Sequence, residues 1–136
     1  MHMKVYAFPS LLISLSSLSF SADAQYAWDL LKQPEFKAAY LKALGAHSRE
    51  KWLVRLPGPS SEAERKTIGG DEFLLAHSCK PHACDTDNIA IAYSRASKRV
   101  FVKLREESGT DVLLGAPPAE VKVELEAFYA KQFAAR

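Results

Sequence analysis

Residues His77 to Cys84 read HSCKPHAC. Both cysteines of the chain and two of its four histidines fall in this one stretch. Three chemistries use such a set: a metal centre, a redox or nucleophilic thiol, and a disulfide-closed loop. His77, Cys79, His82 and Cys84 are all zinc-type ligands, but a tetrahedral site draws them as pairs from separate elements. Here they crowd together, and His77 continues the alternating face of a strand. The pattern argues against a metal, and no cofactor is expected. A thioredoxin-like thiol pair has two intervening residues and opens a helix. Here four residues intervene, and Pro81 is among them.

The third chemistry fits the spacing best. Five extended steps would span roughly 17 Å, whereas a disulfide holds its Cα atoms about 4.4–6.8 Å apart. A Cys79–Cys84 bridge therefore folds Lys80 to Ala83 into a tight projecting loop, with Pro81 fixing one φ angle. The chain-entropy gain of so small a loop is only about 2 kcal/mol. The larger consequence is local: a loop ordered in advance avoids part of the entropy cost of association. It would present Lys80 and His82, and an imidazole can touch two acceptors through its two ring nitrogens. A cleft lined by two carboxylates, as in glycoside hydrolases, is a natural receiver. On the residues alone, a surface staple with an incidental histidine stays open beside this binding reading.

Nothing else in the chain offers comparable chemistry. There is no G-x-S-x-G elbow and no H-E-x-x-H helix. His47 and Glu50 are close in sequence but are expected to face solvent, so no catalytic residue is assigned. An exported small hydrolase, or an envelope module that binds another partner through the same loop, is the alternative reading.

The elements that must position the loop can be traced by periodicity. Gln33 to Leu44 reads as a helix: Pro34 suits its first turn, Phe36, Tyr40 and Leu44 recur every fourth residue, and Gly45 ends it. From Lys51 the alternation of Trp52, Val54 and Leu56 predicts a strand, broken by Pro57 to Ser61. Ile68 belongs to a short strand before Gly69-Gly70. Phe73, Leu75 and His77 line one strand, and Ile89, Ile91 and Tyr93 another. Ser94 to Lys98 makes a turn, after which Val100, Val102 and Leu104 resume the alternation, the signature of an antiparallel hairpin. Val112 to Leu114 is a last short strand. Val121, Leu125 and Phe128 share a face of a C-terminal helix that begins near Pro117-Pro118. The predicted fold is α+β: an antiparallel sheet of about five strands, with N- and C-terminal helices packed on one face and a protruding disulfide loop.

The 136 residues suit one domain, and 48% hydrophobic with 25% charged residues is ordinary for a globular protein. A net charge of +2 with dispersed basic residues excludes a nucleic-acid footprint. Residues 1–24 read as a secretory signal peptide: Lys4, then an apolar and serine-rich run from Val5 to Phe20, then the small-x-small site Ala22-Asp23-Ala24. That run is short for a membrane span. The expected mature domain is 25–136, exported to the periplasm and not inserted in the membrane. Export places the two cysteines where disulfides persist.

The C-K-P-H-x-C loop between two strands resembles the signature of the Ivy family, inhibitors of vertebrate lysozyme. The stretches KAAY (37–40), KWLV (51–54), GGDEFLLAHSCKPHAC (69–84) and DNIAIAYS (87–94) agree with it. The resemblance implies a periplasmic, non-enzymatic inhibitor of c-type lysozyme that protects peptidoglycan and evades host defence. It implies Cys79 and Cys84 as the staple and His82 as the group that hydrogen-bonds the catalytic carboxylates. Lys80, Pro81, Ala83 and Asp85 take loop-shape and contact roles. Many relatives carry an acidic residue where this chain has Ala83, which leaves the affinity and the preferred lysozyme open. A monomer and a homodimer are both compatible with the pattern. Lysozymes of this class are generally basic and so is this chain, so attraction would need a local acidic rim, for which Asp85 and Asp87 are the expected residues.

Overall fold

The computed structural model describes residues 2–4, 7 and 25–133. The predicted signal peptide lies almost wholly outside the described residues. No helix among those described is long and apolar enough to cross a membrane.

The chain runs through α1 (Ala27–Leu30), α2 (Pro34–Leu44), a 3₁₀ turn (Gly45–Arg49), α3 (Lys51–Arg55), strands β1 (Glu64–Ile68), β2 (Asp71–Cys79), β3 (Asn88–Ser94), β4 (Arg99–Arg105) and β5 (Val112–Leu114), and α4 (Ala119–Phe133). The periodic stripe of α2 is the one read from sequence. Phe36, Tyr40 and Leu44 are buried, Pro34 stands in the first turn, and Gly45 takes a φ of 54° to end the helix.

The segment from Lys51 departs from its predicted strand. It forms one turn of helix, and the buried residues are Trp52, Leu53 and Leu56, a helical spacing, while Val54 is only half-buried. Alternation over so few residues cannot separate the two periods, because Leu53 is as apolar as its neighbours. Two features make the turn stable. Leu56 adopts a left-handed φ of 46° and returns its N–H to Trp52 O. The Leu53 carbonyl would normally receive the N–H four residues on, but that residue is Pro57, which has none. The Tyr40 hydroxyl donates to this carbonyl instead, at 2.6 Å. Burial at that position pushes the Tyr40 phenol far above its ordinary pKa, so it donates at all accessible pH values.

The five strands form an antiparallel meander in the order β1-β2-β3-β4-β5. Gly69 and Gly70, with φ of 57° and 81°, close the two-residue hairpin between β1 and β2. In the β2–β3 ladder Phe73 faces Ser94 and Cys79 faces Asn88. This register brings both ends of the 80–87 loop to the same end of the central strands.

The helices do not share one face of the sheet, as the sequence suggested. One core joins α1, α2 and α3 to Leu74, Ala76, Ile89, Ile91, Tyr93, Val100, Val102 and Leu104. A second joins α4 to Phe73, Leu75, Ala90, Ala92 and Phe101. Successive side chains of a strand point to opposite faces, and β2 to β4 are apolar on both. Every residue of β3 is buried, so both faces need a cover. Ala90 and Ala92, small and central, leave α4 room to approach. The architecture remains α+β but has three layers, with the sheet in the middle.

Replacing Tyr40 by Phe should leave the Leu53 carbonyl buried without a donor. The expected cost is about 1–3 kcal/mol, read as a lowered denaturant midpoint at unchanged slope.

Candidate functional site: the disulfide loop and its supports

The register of β2 and β3 leaves residues 80–87 to connect Cys79 to Asn88. Cys79 and Cys84 are joined, with Cα atoms 4.9 Å apart. Inside the bridge, Lys80 to Ala83 forms a β-turn closed by the Ala83 N–H on the Lys80 carbonyl at 3.0 Å. Pro81 holds the second position and His82 the third, with φ of 68°. This is the pattern of a type II turn, whose third position requires a positive φ. Histidine enters that region more readily than most side chains, but less easily than glycine. Lys80, Pro81 and His82 are all exposed, Ala83 is half-buried, and Asp85 is exposed. The imidazole thus stands near the apex of a closed turn.

The far half of the loop is anchored from below. The Ala83 carbonyl accepts the Asp87 N–H at 2.8 Å, and the Lys80 N–H donates to the Asp87 carbonyl at 3.0 Å, one step beyond the ladder. Asp87, expected to form an acidic rim, is only 6% exposed. Its carboxylate accepts from the Thr86 hydroxyl at 2.8 Å and from the Glu107 N–H at 3.3 Å. It is spent on tying the loop to the segment after β4. Of the two expected rim residues, only Asp85 faces solvent.

Asn88 carries the second anchor and was not singled out from sequence. Its amide N–H donates to the Cys84 carbonyl at 2.8 Å. Its amide oxygen accepts from the Tyr129 hydroxyl of α4 at 2.6 Å. The loop is therefore wired through one buried side chain to the helix on the opposite side of the sheet. Tyr129 is flanked by Lys103, whose ammonium lies 4.5 Å from the ring centre. A polar residue at the first position of a buried strand was the only sequence sign of this role.

Beside the loop lies an open recess of about 220 Å3, lined by Glu50, Trp52, Lys80, Asp87, Glu106, Glu107 and Ser108. Four of these residues are acidic and one is basic. His47, expected to face solvent, is half-buried, and its Nδ1 lies 3.2 Å from Glu106 rather than pairing with Glu50.

His77 sits apart from the loop apex, on the α4 face. Its ring packs edge-on against Phe133 and tilted against Phe128. Its Nε2 meets Ser61 Oγ at 2.7 Å and the Ser61 N–H at 2.9 Å. A serine on a histidine suggests a nucleophile and base, but His77 Nδ1 is buried without any partner, so no acid orients the ring. The four residues of the metal reading do not converge: two are joined as a disulfide and the two histidines point to different surroundings. Among the described residues, no cluster of three or more His, Cys, Asp or Glu is arranged to hold a metal ion.

These features define a small α+β domain that presents a stapled, internally hydrogen-bonded loop from the end of its central hairpin. Residues 35–131 match the family described as inhibitor of vertebrate lysozyme (Ivy), and the chain belongs to that family. A protein of Pseudomonas aeruginosa named inhibitor of vertebrate lysozyme is 32% identical over 95 residues, covering 69% of this chain and 58% of that protein. One of the same name from Escherichia coli K12 is 28% identical over 71 residues, covering 52% and 45%. An uncharacterised protein of Yersinia pestis is 31% identical over 74 residues, covering 54% and 48%. The chain spans about half the length of the curated relatives it matches.

Asn88→Ala should cost about 1–3 kcal/mol, because the Tyr129 hydroxyl and the Cys84 carbonyl both lose a buried partner. Faster amide exchange at Ala83 and Asp87 should accompany it. Asp85→Ala, at an exposed position, should stay within about 0.5 kcal/mol of wild type. Denaturation curves and exchange rates of the two variants check this contrast.

Proposed function

We propose that this protein is a non-enzymatic inhibitor of c-type lysozyme and acts by inserting the Cys79–Cys84 loop into the lysozyme cleft. The observation that carries the reading is the exposed His82 imidazole at the apex of a turn ordered without any partner. Family membership supports lysozyme as the target, and the two named relatives point the same way.

Lysozyme cleaves between two carboxyl groups of different protonation, about 5 Å apart. An imidazole between them occupies the place of the scissile sugar linkage and can hydrogen-bond both. Charge-assisted bonds of this kind are strong when water is excluded. No reaction is needed, only exclusion of substrate. The staple, Pro81 and the anchors at Asp87 and Asn88 remove most of the entropy that ordering the loop would otherwise cost. Lys80 and Pro81 shape the entering surface, and Ala83 and Asp85 lie along its flank.

The acidic recess answers the charge problem that Asp87 does not. Glu50, Glu106 and Glu107 present negative charge beside the loop, which would draw in a basic partner although the whole chain carries +2. The N-terminal pattern supports export to the periplasm, where such an inhibitor would protect peptidoglycan from lysis.

The test is clearing of a cell-wall suspension by c-type lysozyme with this protein titrated in. Wild type should inhibit. His82→Gly keeps the positive φ of the turn and removes the imidazole, so it should fold normally and inhibit at least about tenfold less well, a loss of about 1.4 kcal/mol. Unchanged inhibition by His82→Gly would move the binding energy to the surrounding surface. An oxidised wild type that inhibits no c-type lysozyme would sink the reading.

A double variant Glu50→Gln, Glu107→Gln should slow association severalfold at low salt and leave dissociation nearly unchanged, as rim charges do. Stopped-flow mixing at two ionic strengths measures this, and an unaltered on-rate would remove the recess from the mechanism.

A further inference from the structure

The strand β1 pairs with β2 only from Leu75 to Asp71. The remaining edge of β2, Ala76 to Cys79, leads directly into the disulfide loop. The segment Pro57–Ser61 crosses this edge as a strap, and consecutive β2 side chains catch it from opposite faces. On the N-terminal helix side, the Gly58 N–H donates to Ser78 Oγ at 3.0 Å. At the edge itself, the Pro59 carbonyl lies 3.9 Å from the Cys79 sulfur. On the α4 side, Ser61 meets His77 Nε2 through both its N–H and its hydroxyl.

The last contact determines the state of the ring. A main-chain N–H can only donate, so Nε2 must be a bare acceptor. The neutral ring therefore carries its proton on Nδ1, which is buried with no acceptor. A second proton would have to go on Nε2. It would then face the Ser61 N–H donor to donor, and it would place a cation against Phe128 and Phe133 with Nδ1 still unpaired.

We propose that His77 is a positioning residue for the disulfide loop: its neutral ring latches the Pro57–Ser61 strap against the loop's base, and protonation of the ring releases it. The charged groups around the ring decide how readily this happens. From β1 comes Glu64, which favours the cation, but Glu64 is paired with Lys131 of α4 at 2.5 Å. From α4 come also Gln132, within reach of the Ser61 hydroxyl at 3.5 Å, and the two phenylalanines. Glu62, the next residue of the strap, is exposed. The cross-strand neighbour on β3 is Ala90, which brings no charge. Burial outweighs Glu64 and holds the His77 pKa below its ordinary 6.5. The folded state thus binds its proton later than the unfolded chain does. Stability is unaffected above about pH 6.5 and falls as the pH drops through that value toward the folded pKa.

The structural half of this proposal needs no partner. Its functional consequence, weaker inhibition at acidic pH, rests on the loop being the lysozyme-binding element. Amide exchange of Ser61 and Gly58 would be followed from about pH 7.5 to pH 5, together with the ring nitrogen resonances of His77. We expect the wild-type ring to show the Nδ1-protonated tautomer at the upper end. Protection at Ser61 should fall as the pH drops below about 6.5, by up to about tenfold per unit, and level off once the lowered pKa of the latched ring is passed. His77→Gln offers Ser61 a neutral acceptor and should show flat protection over the same range. Constant wild-type protection, an Nε2-protonated ring at neutral pH, or an equal fall in His77→Gln would each overturn the latch. Lysozyme binding by wild type and His77→Gln at both ends of the range separates the two claims. A pH-dependent strap in a protein that never binds lysozyme leaves the latch standing and refutes only the partner.

Discussion

The pairing of Cys79 with Asn88 at the end of the β2–β3 ladder is the constraint from which the rest of the site follows. It leaves eight residues to turn the chain around, and the disulfide closes the first half of them into one rigid turn. Beyond Cys84 the second half has no covalent tie. It is held by the main-chain bonds of Asp87 and by the amide of Asn88, which sits on the ladder itself. Sliding this register by one residue would turn Asn88 away from Tyr129 and invert every side chain of the central strands. The loop is therefore as well positioned as the most buried strand in the molecule.

That burial comes from both sides. The central strand β3 carries bulky residues toward α1, α2 and α3, and alanines toward α4, where a helix can approach closely. Both layers reach the loop. α4 does so through Tyr129 and Asn88, and the N-terminal layer through the Pro57–Ser61 strap that leaves α3 and crosses the edge of β2. A projecting loop held from two layers loses less freedom on binding than one hinged on a single strand pair.

Much of this was legible in the residues. The stripe of Phe36, Tyr40 and Leu44, the alternating strands from Phe73 to Leu104 and the turn at Ser94 to Lys98 all appeared where periodicity and turn chemistry put them. The strand expected at Lys51 did not, because one apolar cluster of three residues fits either period and a tyrosine 13 residues earlier completes the helical choice. Asp87 looked like a surface acid by type and position. It is buried because the Thr86 hydroxyl and the Glu107 N–H offer it donors.

By itself the sequence determined the local terms: which segments are periodic, where the chain must turn, and that two cysteines five positions apart can close only a tight loop around Lys80 to Ala83. Those terms depend on near neighbours and on covalent geometry, so they are written in order along the chain. The tertiary structure alone decided which face each helix covers and that Asn88 joins the loop to a tyrosine 41 residues away. It also made His77 a clasp for Ser61 rather than a ligand or a base. Such pairings depend on strand register and on the meeting of distant donors and acceptors, and no spacing within the chain encodes them directly.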